Sequence, residues 1–192
     1  MNKSRMEAFS DGVLAIIITI MVLDLKVPQQ EGLAALRSLT PVLLSYALSF
    51  VFVGIYWNNH HHMLHATRRI TGGVLWANLH LLFWLSLFPF VTGWVGQNLS
   101  AVFPTALYGV VLIMSGIAYL ILARTIIAGE GPDSLLARAI GDDLKGKMSL
   151  LTYAVAIPIA FVQPWISQAL YVAVALMWLV PDKRIERVFP RE

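Results

Sequence analysis

The sequence predicts an all-α integral membrane protein with six transmembrane helices per subunit, and three observations predict it. Of 192 residues, 58% are hydrophobic and only 13% are charged, whereas roughly a quarter of a soluble domain is charged. Mean hydropathy is +0.71. The apolar residues gather into runs approaching the length of about 20 that a bilayer-spanning helix needs, and the cationic residues collect in alternate loops.

Hydropathy places the spans at 6–27, 41–63, 73–96, 104–128, 148–163 and 165–181. In the first, "RMEAFSDGVLAIIITIMVLDL", the uncharged window between Asp11 and Asp24 is too short to cross a bilayer alone, so Phe9, Ser10 and Asp11 must lie inside the helix. The acid near the start and the missing small-residue cleavage site argue against a signal peptide, so this helix is read as retained. Pro28 and Pro41 bracket the first loop. The third span ends in "VTGWVG", Val91 to Gly96, which has only a superficial likeness to the TVGYG filter of potassium channels: the order differs, and it reads as a glycine-rich helix end. Breakers in "GEGPDS" close the fourth span, and "LLARAIGDDLKGK", 135–147, reads as a short amphipathic linker. Pro164 divides the last apolar run into two short helices joined by a tight hairpin at "VQPW".

With both termini on one side, that side receives twelve cations: Lys3, Arg5, Arg68, Arg69, Arg124, Arg138, Lys145, Lys147, Lys183, Arg184, Arg187 and Arg191. The other side receives only Lys26 and Arg37. The positive-inside rule then places both termini in the cytoplasm of a multi-pass protein of the cell membrane. There is no cysteine to form a disulfide or a thiolate. No internal repeat is visible, so residues 1–192 read as one membrane domain, with the lipid bilayer as its surroundings and no nucleic-acid partner.

This topology puts several polar residues at one depth in the cytoplasmic half: Ser10 and Asp11 from helix 1, Trp57, His60 and His61 from "YWNNHHHMLH", and Asn78 and His80 from helix 3. An intramembrane carboxylate lowers its cost by facing the bundle and pairing with donors. The candidate donors for Asp11 are the imidazoles, the Asn78 amide and Arg5. The layer reads as a structural hydrogen-bond network or as a site that handles protons or ions. Either way it sets the rotation of helix 1, whose Val13, Ile16, Ile20, Leu23 and Val27 form an apolar stripe with Thr19 at its shoulder. His61 and His65 are one turn apart, yet no further ligand cluster completes a metal site, and none is assigned. Glu7 reads as a solvated interfacial charge near Arg5.

"RMEAFSDGVLAIIIT" resembles the signature of the transmembrane protein 175 potassium channel family, in its prokaryotic six-helix branch. Arg5, Phe9, Ser10, Asp11, Ala15, Ile16 and Thr19 match it. The second block is also similar, through Trp57, His60, His61, Asn78, Pro89 and Phe90. The resemblance implies a homotetramer in which four copies of helix 1 line a central pore without a pore-loop filter. It implies a constriction of apolar side chains at Ile16, Ile20 and Leu23 with a layer at Thr19, and a structural role for Arg5, Phe9, Ser10, Asp11, Trp57, His60, His61 and Asn78. It further implies a leak-type channel modestly selective for potassium over sodium, with monovalent cations as permeant partners, no bound cofactor and no enzymatic activity.

Two other classes fit less well. A secondary transporter, proton-coupled or otherwise, working through the Asp11 and histidine layer, is expected to show repeats and broken helices with midplane charges. A membrane enzyme has no nucleophile here beyond the same few residues.

Overall fold

Apolar side chains on every face make a helix that belongs among other helices or in lipid, and in hydrocarbon only helices and closed barrels satisfy their own backbone. The computed structural model, which describes residues 2–28, 32–141 and 143–180, is accordingly helical throughout its regular structure. Its elements are α1 (Lys3–Leu23), α2 (Leu33–His65), α3 (Gly72–Ser86), α4 (Phe88–Gln97), α5 (Val102–Glu130), α6 (Leu135–Ile140), α7 (Leu144–Ala160) and α8 (Pro164–Leu179). Among the described residues, four stretches are long and apolar enough to cross a bilayer, at 3–23, 36–66, 72–97 and 102–130, while α7 and α8 are shorter.

The rods run alternately up and down. At one end Lys3 Nζ donates to the carbonyl of His65 (2.9 Å), Glu130 accepts from the backbone N–H groups of Arg68 and Arg69, and Lys145 Nζ donates to the carbonyl of Val180 (2.8 Å). The described members of the basic set therefore cluster at one end of the bundle. At the other end Gln168 Nε2 donates to the carbonyl of Leu99 (2.7 Å), and Phe103 meets Phe161 edge to face.

Several sequence expectations are corrected. The first loop is shorter than the interval between Pro28 and Pro41, because α2 starts at Leu33 and carries Pro41 within it; residues 29–31 lie outside the described residues. The third span runs from 72 to 97 as expected, but it is interrupted at one residue. Pro89 has no N–H for the next helical bond, so the chain breaks at Leu87 into α3 and α4. The linker is partly ordered as α6, and 144–147 belong to the start of α7, where the Asp143 carboxylate accepts from the N–H of Gly146 (3.1 Å). "VTGWVG" is α-helical within α4. The hairpin at "VQPW" is as expected, with α7 ending at Ala160 and α8 opening on Pro164. Of the basic residues assigned to one side, Lys183, Arg184, Arg187 and Arg191 lie outside the described residues.

Helix α5 is the hub, packing on α3, α4, α7 and α8, while α1 packs on α2, α3 and α4 at the bundle edge. Close approach depends on small residues, as expected where lipid offers no hydrophobic drive for association. A Cβ at Gly96 would stand 3.0 Å from Val42 Cα, and one at Gly109 would overlap the Tyr171 hydroxyl. Gly109→Ala is thus expected to cost about 1–3 kcal/mol through overpacking. Thermal unfolding in detergent should show this loss, and adding Tyr171→Phe, which removes the nearest clashing atom, should recover part of it, since Ile157 and the Tyr171 ring also stand close.

Candidate functional site

The buried side of α1 is made by Met6, Ser10, Leu14, Ile17 and Met21, spaced by three or four residues as one helical face requires. Ser10 is the polar member. Its Oγ donates to the carbonyl of Met6 (2.9 Å) and accepts from Asn78 Nδ2 (2.9 Å), and Asn78 Oδ1 lies 2.7 Å from His60 Nε2. Since the amide oxygen can only accept, His60 carries its proton on Nε2. Three helices, α1, α3 and α2, are thereby joined by a string in which Ser10, Asn78 and His60 are all buried.

Asp11 stands beside this string and outside it. Its Oδ1 accepts from Trp57 Nε1 (3.0 Å); among the described residues neither an imidazole, nor Asn78, nor Arg5 bonds to it. The expected pairing is therefore corrected: the residue next to Ser10 points about 100° around the helix, toward α2 and the half-exposed Trp57. His61 turns to Glu7, with Nδ1 3.4 Å from Oε1, so Glu7 is not simply a solvated charge near Arg5. The rings of Trp57, His61 and His65 stack along one line of α2, with centroids 6.3 Å apart at each step. His80 leaves the layer, accepting from Trp84 Nε1 (3.0 Å) one turn along α3. Arg5 and Phe9 are exposed and make no hydrogen bond to the network among the described residues.

The opposite side of α1 is bare. Ile16, Ile20 and Leu23 are 57%, 45% and 79% exposed, and Thr19 lies among them. Val13 is half-buried against the core, and Val27 lies beyond the end of the helix. The Thr19 hydroxyl donates to the carbonyl of Ile16 (2.9 Å), so its oxygen is left to act as an acceptor, and the residue is exposed.

A second polar cluster was not anticipated from the sequence. Thr92 Oγ1 donates to Ser49 Oγ (2.6 Å), and Ser49 shares a hydrogen bond with the Tyr108 hydroxyl (2.8 Å), tying α4, α2 and α5 together next to Met21 of α1. Isolated hydroxyls in apolar runs commonly bond their own helix backbone, so nothing in the linear pattern distinguishes these.

The profile of the family "Endosomal/lysosomal potassium channel TMEM175" matches residues 5–89, which hold α1, the polar string and the break at Pro89. A potassium channel of Chryseobacterium sp. (strain P1-3) is 54% identical over 187 residues, 97% of each chain. The crystal structure of a lysosomal potassium-selective channel TMEM175 homolog from Chamaesiphon minutus superposes with a TM-score of 0.82 at 28% identity, covering 93% of this chain and 96% of that one. The endosomal/lysosomal proton channel TMEM175 of Danio rerio is 41% identical over 81 residues, 35% of this chain and 16% of that protein.

The string and the Asp11 contact differ in burial, and their loss should differ accordingly. Asn78→Ala leaves the buried His60 Nε2–H without its acceptor and takes a donor from Ser10, and it should cost about 1–3 kcal/mol. Trp57→Phe frees a carboxylate that water can reach, and its effect on thermal unfolding in the same detergent should be smaller.

Proposed function

The chain belongs to the TMEM175 family of ion channels, and from that premise we propose that it is a leak-type, potassium-permeable cation channel assembled as a homotetramer of six-span subunits, with α1 innermost. The observation that carries the reading is the two-sidedness of α1. One face is locked by the Ser10, Asn78 and His60 string, and the other leaves Ile16, Ile20 and Leu23 largely uncovered by the described residues of the same subunit. Gly12 and Ala15 are exposed beside them and favour close approach between copies.

Four copies of that face would enclose an apolar constriction about 10 Å long from Ile16 to Leu23. Such a pore excludes water when narrow and conducts when slightly wider. A cation crossing it sheds water with few replacement oxygens, and sodium holds its water more tightly, so potassium is modestly preferred. The exposed Thr19 hydroxyl oxygens, still able to accept, add to that preference. The buried polar string has a structural part and stands away from the permeation path. The basic end of the bundle faces the cytoplasm, with both termini there and the cell membrane as the location.

Proton passage is a second reading, favoured by the name of the zebrafish relative. Reversal potentials measured in opposed potassium and pH gradients separate the two: the potassium reading requires the potential to follow potassium.

Ile16→Asn tests the pore directly. A polar ring wets the constriction, so potassium and sodium currents in a planar bilayer should both rise, with selectivity unchanged or lower. Thr19→Ala should lower the potassium preference. Unchanged conductance in Ile16→Asn would remove α1 from the pore. In this cysteine-free chain, Ile16→Cys should also form disulfides between subunits on oxidation, which denaturing gels report as dimers.

A further inference from the structure

Away from α1, between α2, α5, α7 and α8 at the basic end of the bundle, lies a cavity of about 260 Å³. A second of about 230 Å³ adjoins it, sharing Asn59, Tyr119, Asp143 and Trp178. The inner walls of the first are apolar, with Phe52, Ile55, Leu120 and Leu150. Two phenols, Tyr56 and Tyr153, line it, and among the described residues neither hydroxyl has a hydrogen-bond partner, whereas that of Tyr119 donates to the carbonyl of Asn59 (3.4 Å). Arg124 and Lys147 line the end nearest the loops. Asp143 is there too, but its carboxylate accepts from Gly146 at the start of α7, and among the described residues no carboxylate comes within 4 Å of either cation. Along α5 the lining runs from Gly116 to Ile127, a rise of about 16 Å.

We propose that this cavity binds a single-chain amphiphilic anion, with its acidic head between Arg124 and Lys147 and its chain running inward toward Tyr153. Apolar walls with a few convergent polar groups are the usual build of a small-molecule site, and basic pockets between membrane helices select anionic heads. The first cavity alone lies just below the range of about 300–1,000 Å³ typical of ligand pockets, and a single chain suffices to fill it. The occupant would sit behind α2: Tyr56 and Asn59 line the cavity while the neighbouring Trp57 and His60 hold the network at α1. A bound anion therefore stiffens the helix on which α1 is mounted.

The test is binding to the purified full-length chain in neutral detergent, so it does not depend on whether the chain conducts. The probe is bromine-labelled dodecanoate, read by quenching of tryptophan fluorescence. Saturable quenching is expected, and most of it should vanish in Trp178→Phe. The double variant Arg124→Gln, Lys147→Gln should bind about thirtyfold more weakly; both side chains are exposed, so the fold should survive. Leu150→Trp should fill the cavity and abolish quenching of Trp178. Equal affinity for bromododecanol would overturn the proposal, as would an unchanged affinity in the double variant. Competition by inorganic phosphate alone would reduce the site to one for small anions. Equal quenching by brominated phosphatidylglycerol would assign it to a two-chain lipid, and either result would overturn the single-chain claim.

Discussion

A polar side chain in hydrocarbon has to find its partner within the protein, and the hydrogen-bonded string from Ser10 through Asn78 to His60 is where this constraint acts on the whole molecule. Each bond in such a string contributes modestly, on the order of 1 kcal/mol. Their geometric effect is larger than their energy. Ser10 can reach Asn78 from only one rotation of α1, and that rotation turns Ile16, Ile20 and Leu23 outward while Met6, Leu14, Ile17 and Met21 go in. What α1 offers to another copy of the chain follows from what it hides from lipid.

The same constraint recurs nearer the other end of the bundle. Thr92, Ser49 and Tyr108 satisfy one another across α4, α2 and α5, close to the glycine contacts that let α4 lie against α2 and α5 against α8. Hydroxyls and glycines do complementary work there: small residues permit the approach, and the hydroxyls then select one register. The break at Leu87 serves this arrangement, since it begins a new helix at Phe88 that brings Thr92 to Ser49.

Helix α2 connects the two regions. Within a few residues it carries Trp57 and His60 toward α1 and α3, and Tyr56 and Asn59 toward α5 and α7. Anything that changes the packing on one of its faces is felt on the other, because the rod is continuous from Leu33 to His65. Pro41 leaves that rod unbroken, although it stands one residue before Val42, where Gly96 of α4 makes its close approach.

The order of the rods, the clustering of the described basic residues at one end and the shared level of Ser10, Trp57, His60 and Asn78 were legible in the sequence, because hydropathy and charge act through position along the chain. The bare stripe on α1 was legible through its three-and-four spacing. Pairing was not. Asp11 and Ser10 are adjacent in sequence, yet the serine joins the buried string while the carboxylate turns to Trp57, and His61 takes Glu7 while His60 takes Asn78. His80 shares the depth and joins neither. Level along the bundle is set by counting residues from a helix end, and the sequence by itself determined it. Which partner each side chain meets depends on the rotation of one helix against its neighbours, a quantity decided only when all the helices pack at once.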